Sequence, residues 1–265
     1  MQSGHLPRRH DWQQKLELTL RIFKPVAVIL LIYTCGLNAV CAQIKQNKTI
    51  VLDPGHTPRQ PGALGVRGKY EVDYNDHFTA MLADALKSAG YSVIITRKPD
   101  QNIGFLDRVT MANDTNPLLF LSIHHDSAQP KYLEKITISP RRKGYKTVKP
   151  IVGYSIFTSK LNPASVKAYR FAEILGDHLL KLRRPPSLHH AEAIKGENRE
   201  LLNKDLGIYR FDDLIVLKKA TIPAVLLEIG VIVDAKDEAY ISDYHNQDVL
   251  CKAIVAAIEA YRELK

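Results

Sequence analysis

An α/β fold, a largely parallel sheet covered by helices on both faces to make three layers, is predicted by three features of the sequence. From residue 46 onward, short apolar and β-branched runs alternate with longer amphipathic segments, as in sheets whose crossovers are helices. Some of the short runs, such as Thr49–Leu52 and Leu118–Ile123, are almost wholly apolar, as strands buried on both sides must be. The chain has 265 residues, 45% hydrophobic and 25% charged, which is ordinary globular material and ample for one core. No internal repeat or low-complexity linker interrupts the pattern.

The elements follow in order. Thr49–Leu52 reads as a strand, stopped by the turn formers Asp53-Pro54-Gly55. A glycine-rich loop with Gly62, Gly65 and Gly68 leads to Glu71. Tyr74–Ala89 is a helix, with Phe78, Leu82, Ala85 and Leu86 on one face and Gly90 at its end. Tyr91–Thr96 is a strand, Phe105–Asn113 a short helix, and Leu118–Ile123 a strand ending in His124-His125-Asp126. Lys131–Lys149 has little apolar periodicity and reads as a basic loop. Tyr154–Ser159 is a strand and Ala164–Leu182 a helix stopped by Pro185-Pro186. Ser187–Leu206 is polar and reads as a short helix with loops, and its length suggests a lid or a substrate-contact element. Leu214–Lys218 is short and of either type, Ala224–Ile229 is a strand, and Gln247–Leu264 closes the chain as a helix.

Ahead of this domain, Met1–Lys24 is polar and basic, and Val26–Ala42 carries no charge. A cationic start, an apolar run and the small residues of Val40-Cys41-Ala42 have the form of a secretory signal, with a mature start at Gln43. The run is also nearly long enough to anchor the chain in the inner membrane. Residues 1–45 are therefore expected to be a signal peptide or membrane anchor, with residues 46–265 exported to the periplasm or cell envelope. Removal of the segment takes Cys35 and Cys41 with it and leaves Cys251 alone, in an apolar helical pattern where a buried inert thiol is expected. The formal net charge of +9 favours acidic partners, but no nucleic-acid-binding motif accompanies it, and a solvated basic surface accounts for most of the charge. The oligomeric state is not written in the sequence.

Three strand ends carry chemistry: His56 after the first, His124 at the third, and Glu228 in the last. In open α/β sheets ligands bind at the carboxyl edge. Two histidines and a carboxylate with an open fourth position suit a catalytic zinc site, and a further carboxylate can act as general base on a bound water. His124 and His125 are adjacent, so strand alternation turns only one of them toward such a site. Bland readings exist for each neighbour. Asp53 is a turn residue, and Arg97 and Arg108 are salt-bridge partners of helices before they are substrate clamps. His189, His190 and Glu192 are read as solvated rather than as a second metal site.

The sequence resembles the zinc-dependent N-acetylmuramoyl-L-alanine amidases of the bacterial cell wall. The resemblance runs from about Thr49 to the C-terminus through DPGH, the GA–G–G–E loop, ITRKPD, LDRVTMAN, FLSIHHD and PAVLLEIGVIVD, in the family's order. It implies a twisted mixed sheet with helices on both faces and a Zn2+ ion held by His56, Glu71 and His124. It implies Glu228 as the catalytic carboxylate, His125 as a supporting or surface residue, and peptidoglycan as substrate. The bond cut would be the amide joining N-acetylmuramic acid to L-alanine. The chain departs from the family's pattern at Thr57-Pro58, where a glycine is usual, and in the lengths of Lys131–Lys149 and Ser187–Leu206; no wall-binding repeat is visible. The competing classes are a non-catalytic peptidoglycan-binding homologue and a zinc carboxypeptidase or deacetylase of the same polymer. All four implied positions are filled, which favours the amidase.

Overall fold

The computed structural model describes residues 48–264. The expected signal or anchor segment lies outside the described residues. Nine strands and six helices follow one another. They are β1 (Thr49–Pro54), α1 (Glu71–Ser88), β2 (Ser92–Ile95), α2 (Phe105–Thr115), β3 (Leu119–Asp126), β4 (Leu133–Ser139), β5 (Arg142–Thr147), β6 (Ser155–Thr158), α3 (Ser165–Lys181), β7 (Leu201–Asn203), β8 (Ile208–Arg210), α4 (Ile215–Lys218), β9 (Ala224–Val231), α5 (Ala235–Ser242) and α6 (Tyr244–Glu263).

Seven strands form one mixed sheet in the order β2-β1-β3-β9-β6-β8-β7. The four strands from β2 to β9 are parallel, β6 runs antiparallel to β9, β8 is parallel to β6, and β7 is antiparallel to β8. Strand alternation sorts the side chains into two cores. Ile50, Leu52, Leu119, Leu121, Ile123, Val225 and Leu227 pack with α1, α3 and α6 on one face. Val51, Phe120, Ala224 and Leu226 pack with α2 and α4 on the other. Strands β2 and β3 flank β1 on opposite sides, so crossovers of one hand must carry α1 and α2 over opposite faces. The three layers predicted from the sequence are thus present.

Several boundaries differ from expectation. Helix α1 starts at Glu71 instead of Tyr74, with two acids in its first turn and Asp73 Oδ2 accepting from the Tyr70 N–H at 3.1 Å. Strand β3 runs on to Asp126, so His124 lies within the sheet and not beyond it. The basic segment Lys131–Lys149 is not a loop: β4 and β5 form a two-stranded hairpin whose Arg142 Nη1 donates to the Gly68 carbonyl at 2.6 Å. Its inward side is sparse, only Leu133, Ile136 and Ile138 on β4 being partly covered, so its apolar periodicity is faint. The polar stretch after Pro186 is likewise ordered by pairing of β7 with β8 at the sheet edge.

One element absent from the sequence reading, α5, secures the end of β9. Its Asp234 cap accepts from Lys236 N and Asp237 N. Asp237 accepts from Arg184 at 2.5 and 2.9 Å, from Val231 N at 2.7 Å and from Gly153 N at 3.1 Å, and both charged groups are buried. Removing one partner of such a pair strands the other charge in the interior. Asp237→Ala is expected to lower unfolding free energy by about 3–5 kcal/mol, read as a fall in urea midpoint at unchanged slope.

Candidate active site

The site begins with the turn that ends β1. Pro54, Gly55 and His56 leave the sheet with their carbonyls pointing inward, and two buried arginines collect them. Arg97, just past β2, donates from Nε to His56 O at 2.8 Å and from Nη2 to Gly55 O at 3.0 Å, and its Nη2 also pairs with Asp76 at 2.6 Å. Arg108, on α2, donates to Pro54 O at 2.7 Å, His56 O at 2.6 Å and Asp53 Oδ1 at 2.7 Å. Asp53 also accepts from Thr96 at 2.6 Å and Ser122 at 2.8 Å, so its carboxylate is fully used by the fold. The clamp holds His56 at φ 64°, a left-handed conformation uncommon for a side chain of this size. Arg97 and Arg108 are thus structural clamps, as their bland reading had it.

His56, Glu71 and His124 come together above this turn. His56 Nε2 lies 2.9 Å from Glu71 Oε2, and His124 Nδ1 lies 3.0 Å from Glu71 Oε1. The other nitrogen of His56 faces the Gln60 carbonyl at 3.1 Å, which orients the ring. Two glycines make the room. A Cβ on Gly55 would stand 2.2 Å from His124 Nε2, and one on Gly62 would stand 2.4 Å from Glu71 Oε2. Glu71 is 6% exposed. Burial alone would raise its pKa, but the hydrogen bonds and charges of His124 and His56 outweigh that and hold it well below the usual carboxylate range. Burial disfavours the His56 imidazolium, yet Glu71 carries its pKa above the ordinary value. Two imidazoles and an ionised carboxylate in a cradle with no room for side chains are a donor set that fits zinc.

Glu228 stands beside the triad. Its register partner on β3 is His124, and it shares the face of Ala224 and Leu226. Its Oε2 is buried and accepts no hydrogen bond, which leaves a carboxylate oxygen free in a protein that satisfies most such atoms. Burial first, then the charges of Asp126 and Glu71, push its pKa well above the ordinary value. His56, His124 and Glu228 line one cleft of about 970 Å³, with Glu71 behind the two histidines, and the cleft is walled on the apolar side by Phe105, Phe157, Phe211 and Leu214.

The neighbouring residues divide as the strand period demands. His125 points to the opposite face, where it is buried against Tyr74 and Phe78 and its Nδ1 meets Asn75 Oδ1 at 2.8 Å. Burial lowers its pKa to about 3, so it is a neutral packing residue and not a surface one. Asn75 also donates to Gly55 O at 3.2 Å, tying α1 to the turn. The sequence reading passed over it, although its position four residues after Glu71 puts both on one helix face. His189 and His190 correct the reading of that segment. They are 6% and 8% exposed, not solvated, and His190 Nε2 lies 2.8 Å from Asp126 Oδ2. Glu192 points elsewhere, pairing with Lys131 at 3.6 Å.

The clamp should matter for metal retention. Arg108→Lys keeps a charge but loses the planar fork that reaches Asp53, Pro54 O and His56 O together. Zinc affinity is expected to fall about 10–100-fold, measured by competition with a chromophoric chelator, while far-ultraviolet circular dichroism stays unchanged.

Comparison with known proteins agrees with this picture. AmiA of Escherichia coli K12, an N-acetylmuramoyl-L-alanine amidase, is 24% identical over 237 residues, covering 81% of this chain and 76% of AmiA. AmiC of Escherichia coli O6:H1 carries the same description and is 25% identical over 217 residues, 80% of this chain. The chain spans only 52% of AmiC's length. Among solved structures, the N-acetylmuramoyl-L-alanine amidase from Clostridium difficile 630 has the same fold, with a TM-score of 0.62 at 21% identity, covering 82% of this chain and 97% of that one. The pattern of the Amidase_3 family, described as N-acetylmuramoyl-L-alanine amidase, matches residues 50–260. The chain belongs to the N-acetylmuramoyl-L-alanine amidase family, hydrolases of the cell-wall polymer peptidoglycan.

Proposed function

We propose that this chain hydrolyses the amide bond between N-acetylmuramic acid and L-alanine in peptidoglycan, with His56, Glu71 and His124 holding Zn2+ and Glu228 as the catalytic carboxylate. The observation that carries the reading is the unpartnered carboxylate of Glu228 beside a convergent His-Glu-His set in one cleft. The chemistry that zinc supplies when bound is polarisation of the scissile carbonyl and acidification of a water.

The protein groups do the rest. Glu71 stays ionised, as a ligand must, and the Gln60 carbonyl orients the His56 ring. Glu228 accepts the proton of the attacking water on its carboxylate and delivers it to the departing L-alanine amine. A pKa raised above the ordinary carboxylate value makes Glu228 a stronger proton acceptor. A binding homologue without activity would need neither an unpartnered glutamate nor a complete donor set.

Export to the periplasm or cell envelope belongs to the same proposal. It is supported by the uncharged Val26–Ala42 run and by the cell-wall substrate of the family. Inner-membrane anchoring through that run is the second form of the same idea, and no helix among the described residues is long and apolar enough to cross a membrane. Sequencing the amino end of protein from the envelope fraction should find Gln43, or Met1 in the anchored form; a full-length soluble cytoplasmic protein would sink both.

The chemistry is tested on purified peptidoglycan. Mass analysis should find stem peptides with a free L-alanine amino end and intact glycan; trimmed peptides or deacetylated sugars would instead mark the other zinc hydrolases. His124→Ala is expected to lose zinc and activity together. Glu228→Gln should keep zinc while turnover falls by roughly two to four orders of magnitude. If Glu228→Gln sheds zinc as readily as His124→Ala, Glu228 is a ligand and the role of Glu71 is different.

A further inference from the structure

The stretch after β6 and α3 brings a second set of donors to the same cleft. A 3-10 turn at His189–Ala191 presents two consecutive imidazoles to Asp126, which lies two residues beyond His124 on the same face of β3. His190 Nε2 is 2.8 Å and His189 Nε2 3.3 Å from Asp126 Oδ2, and the three donor atoms lie within 4.8 Å of one another. Each ring turns its other nitrogen outward to a fixed partner. His190 Nδ1 meets Glu197 Oε2 at 2.8 Å, and His189 Nδ1 meets Ser187 Oγ at 2.9 Å. Glu197 is in turn held by Gln129 at 3.0 Å, and the remaining oxygen of Asp126 accepts from Ser127 N at 2.7 Å. Histidines that bind metals are oriented in this way, by an acceptor on the far nitrogen.

A network of ion pairs alone would explain His190, which lies between two carboxylates. It does not explain His189. That residue is 6% exposed, and its Nε2, aimed at Asp126, makes no hydrogen bond. It lies 3.3 Å from Asp126 Oδ2, an ion-pair distance without hydrogen-bond geometry. A buried polar nitrogen left so is costly, and a metal–ligand bond would remove that cost.

We propose that Asp126, His189 and His190 form a second site for a divalent cation of the zinc class, separate from the one assigned to His56, Glu71 and His124. Two imidazoles and a carboxylate are a zinc donor set with one position left open. Asp126 and His190 line the cleft, so a cation can enter from solvent. The two sites share no ligand. The proposal does not rest on the role given to the first site.

Metal content of the full chain decides it. After equilibration in a zinc buffer, elemental analysis by mass spectrometry should give two zinc ions per wild-type chain. His189→Gln and Asp126→Ala should each give one, His56→Ala one, and His56→Ala with His189→Gln none. Wild-type zinc content in both His189→Gln and Asp126→Ala overturns the second site. Anomalous diffraction at the zinc edge from wild-type crystals needs no variant to fold. A peak within bonding distance of Asp126, His189 and His190 supports the site. A peak only at His56, Glu71 and His124 overturns it and leaves the proposed function standing; no peak at either overturns both.

Discussion

Two guanidinium groups under one turn are the constraint on which the site depends. The backbone after β1 has to leave the sheet, reverse and place His56 in a left-handed conformation, with three carbonyls turned into the protein. Buried carbonyls without donors are costly, and φ near +60° is costly for a histidine. Arg97 and Arg108 offset both at once by giving the carbonyls charged donors in fixed geometry. Their own charges are balanced by Asp76 and Asp53. Everything above the turn inherits its position from this layer: His56, the ring of His124 over Gly55, and Asn75 reaching down from α1.

The second determinant is the period of the strands. On β3, residues 120, 122, 124 and 126 share a face, and on β9, residues 224, 226 and 228 share the same one. A slip of one residue would bury His124 against α1 and bring His125 to the cleft. The register is fixed by the apolar side chains that precede the functional ones. The pairing then shifts past His124, where Asp126 meets Val231. That irregularity ends the ladder at the rim of the cleft, a place where bulges commonly re-aim chain and side chains.

Electrostatics give the cleft its character. Glu71, Asp126, Glu197 and Glu228 are drawn together in a largely covered space, where histidines, and Arg199 near Asp126 and Glu197, offset their charge. Two imidazoles hold the pKa of Glu71 down, while burial, with Asp126 and Glu71 nearby, pushes that of Glu228 up. In the proposed mechanism this contrast divides the carboxylates between binding and proton transfer, as environments do wherever two similar groups need different tasks. The fold holds this arrangement from outside through Arg184 and Asp237, which fasten β9 to α5.

The order of elements, the three layers and the triad of His56, Glu71 and His124 with Glu228 were legible in the sequence. The information was local: hydrophobic period sets strand and helix, turn formers set where a strand stops, and strand alternation separates His124 from His125. The basic hairpin, helix α5 and the strands β7 and β8 were not legible: the hairpin and β7 bury few side chains, β8 has only three residues, and α5 buries acids, Asp237 and Glu238, that a sequence pattern reads as exposed. The fate of His189 and His190 shows the same limit at the site. In sequence they sit in a polar stretch that reads as solvated, more than sixty residues from Asp126. The packing of that stretch beside β6, with Tyr154 accepting from Ser187 N at 2.7 Å, removes them from water and turns them onto Asp126. Local chemistry named the residues able to bind or catalyse; burial and convergence are properties of the assembled sheet, and only the tertiary structure could decide them.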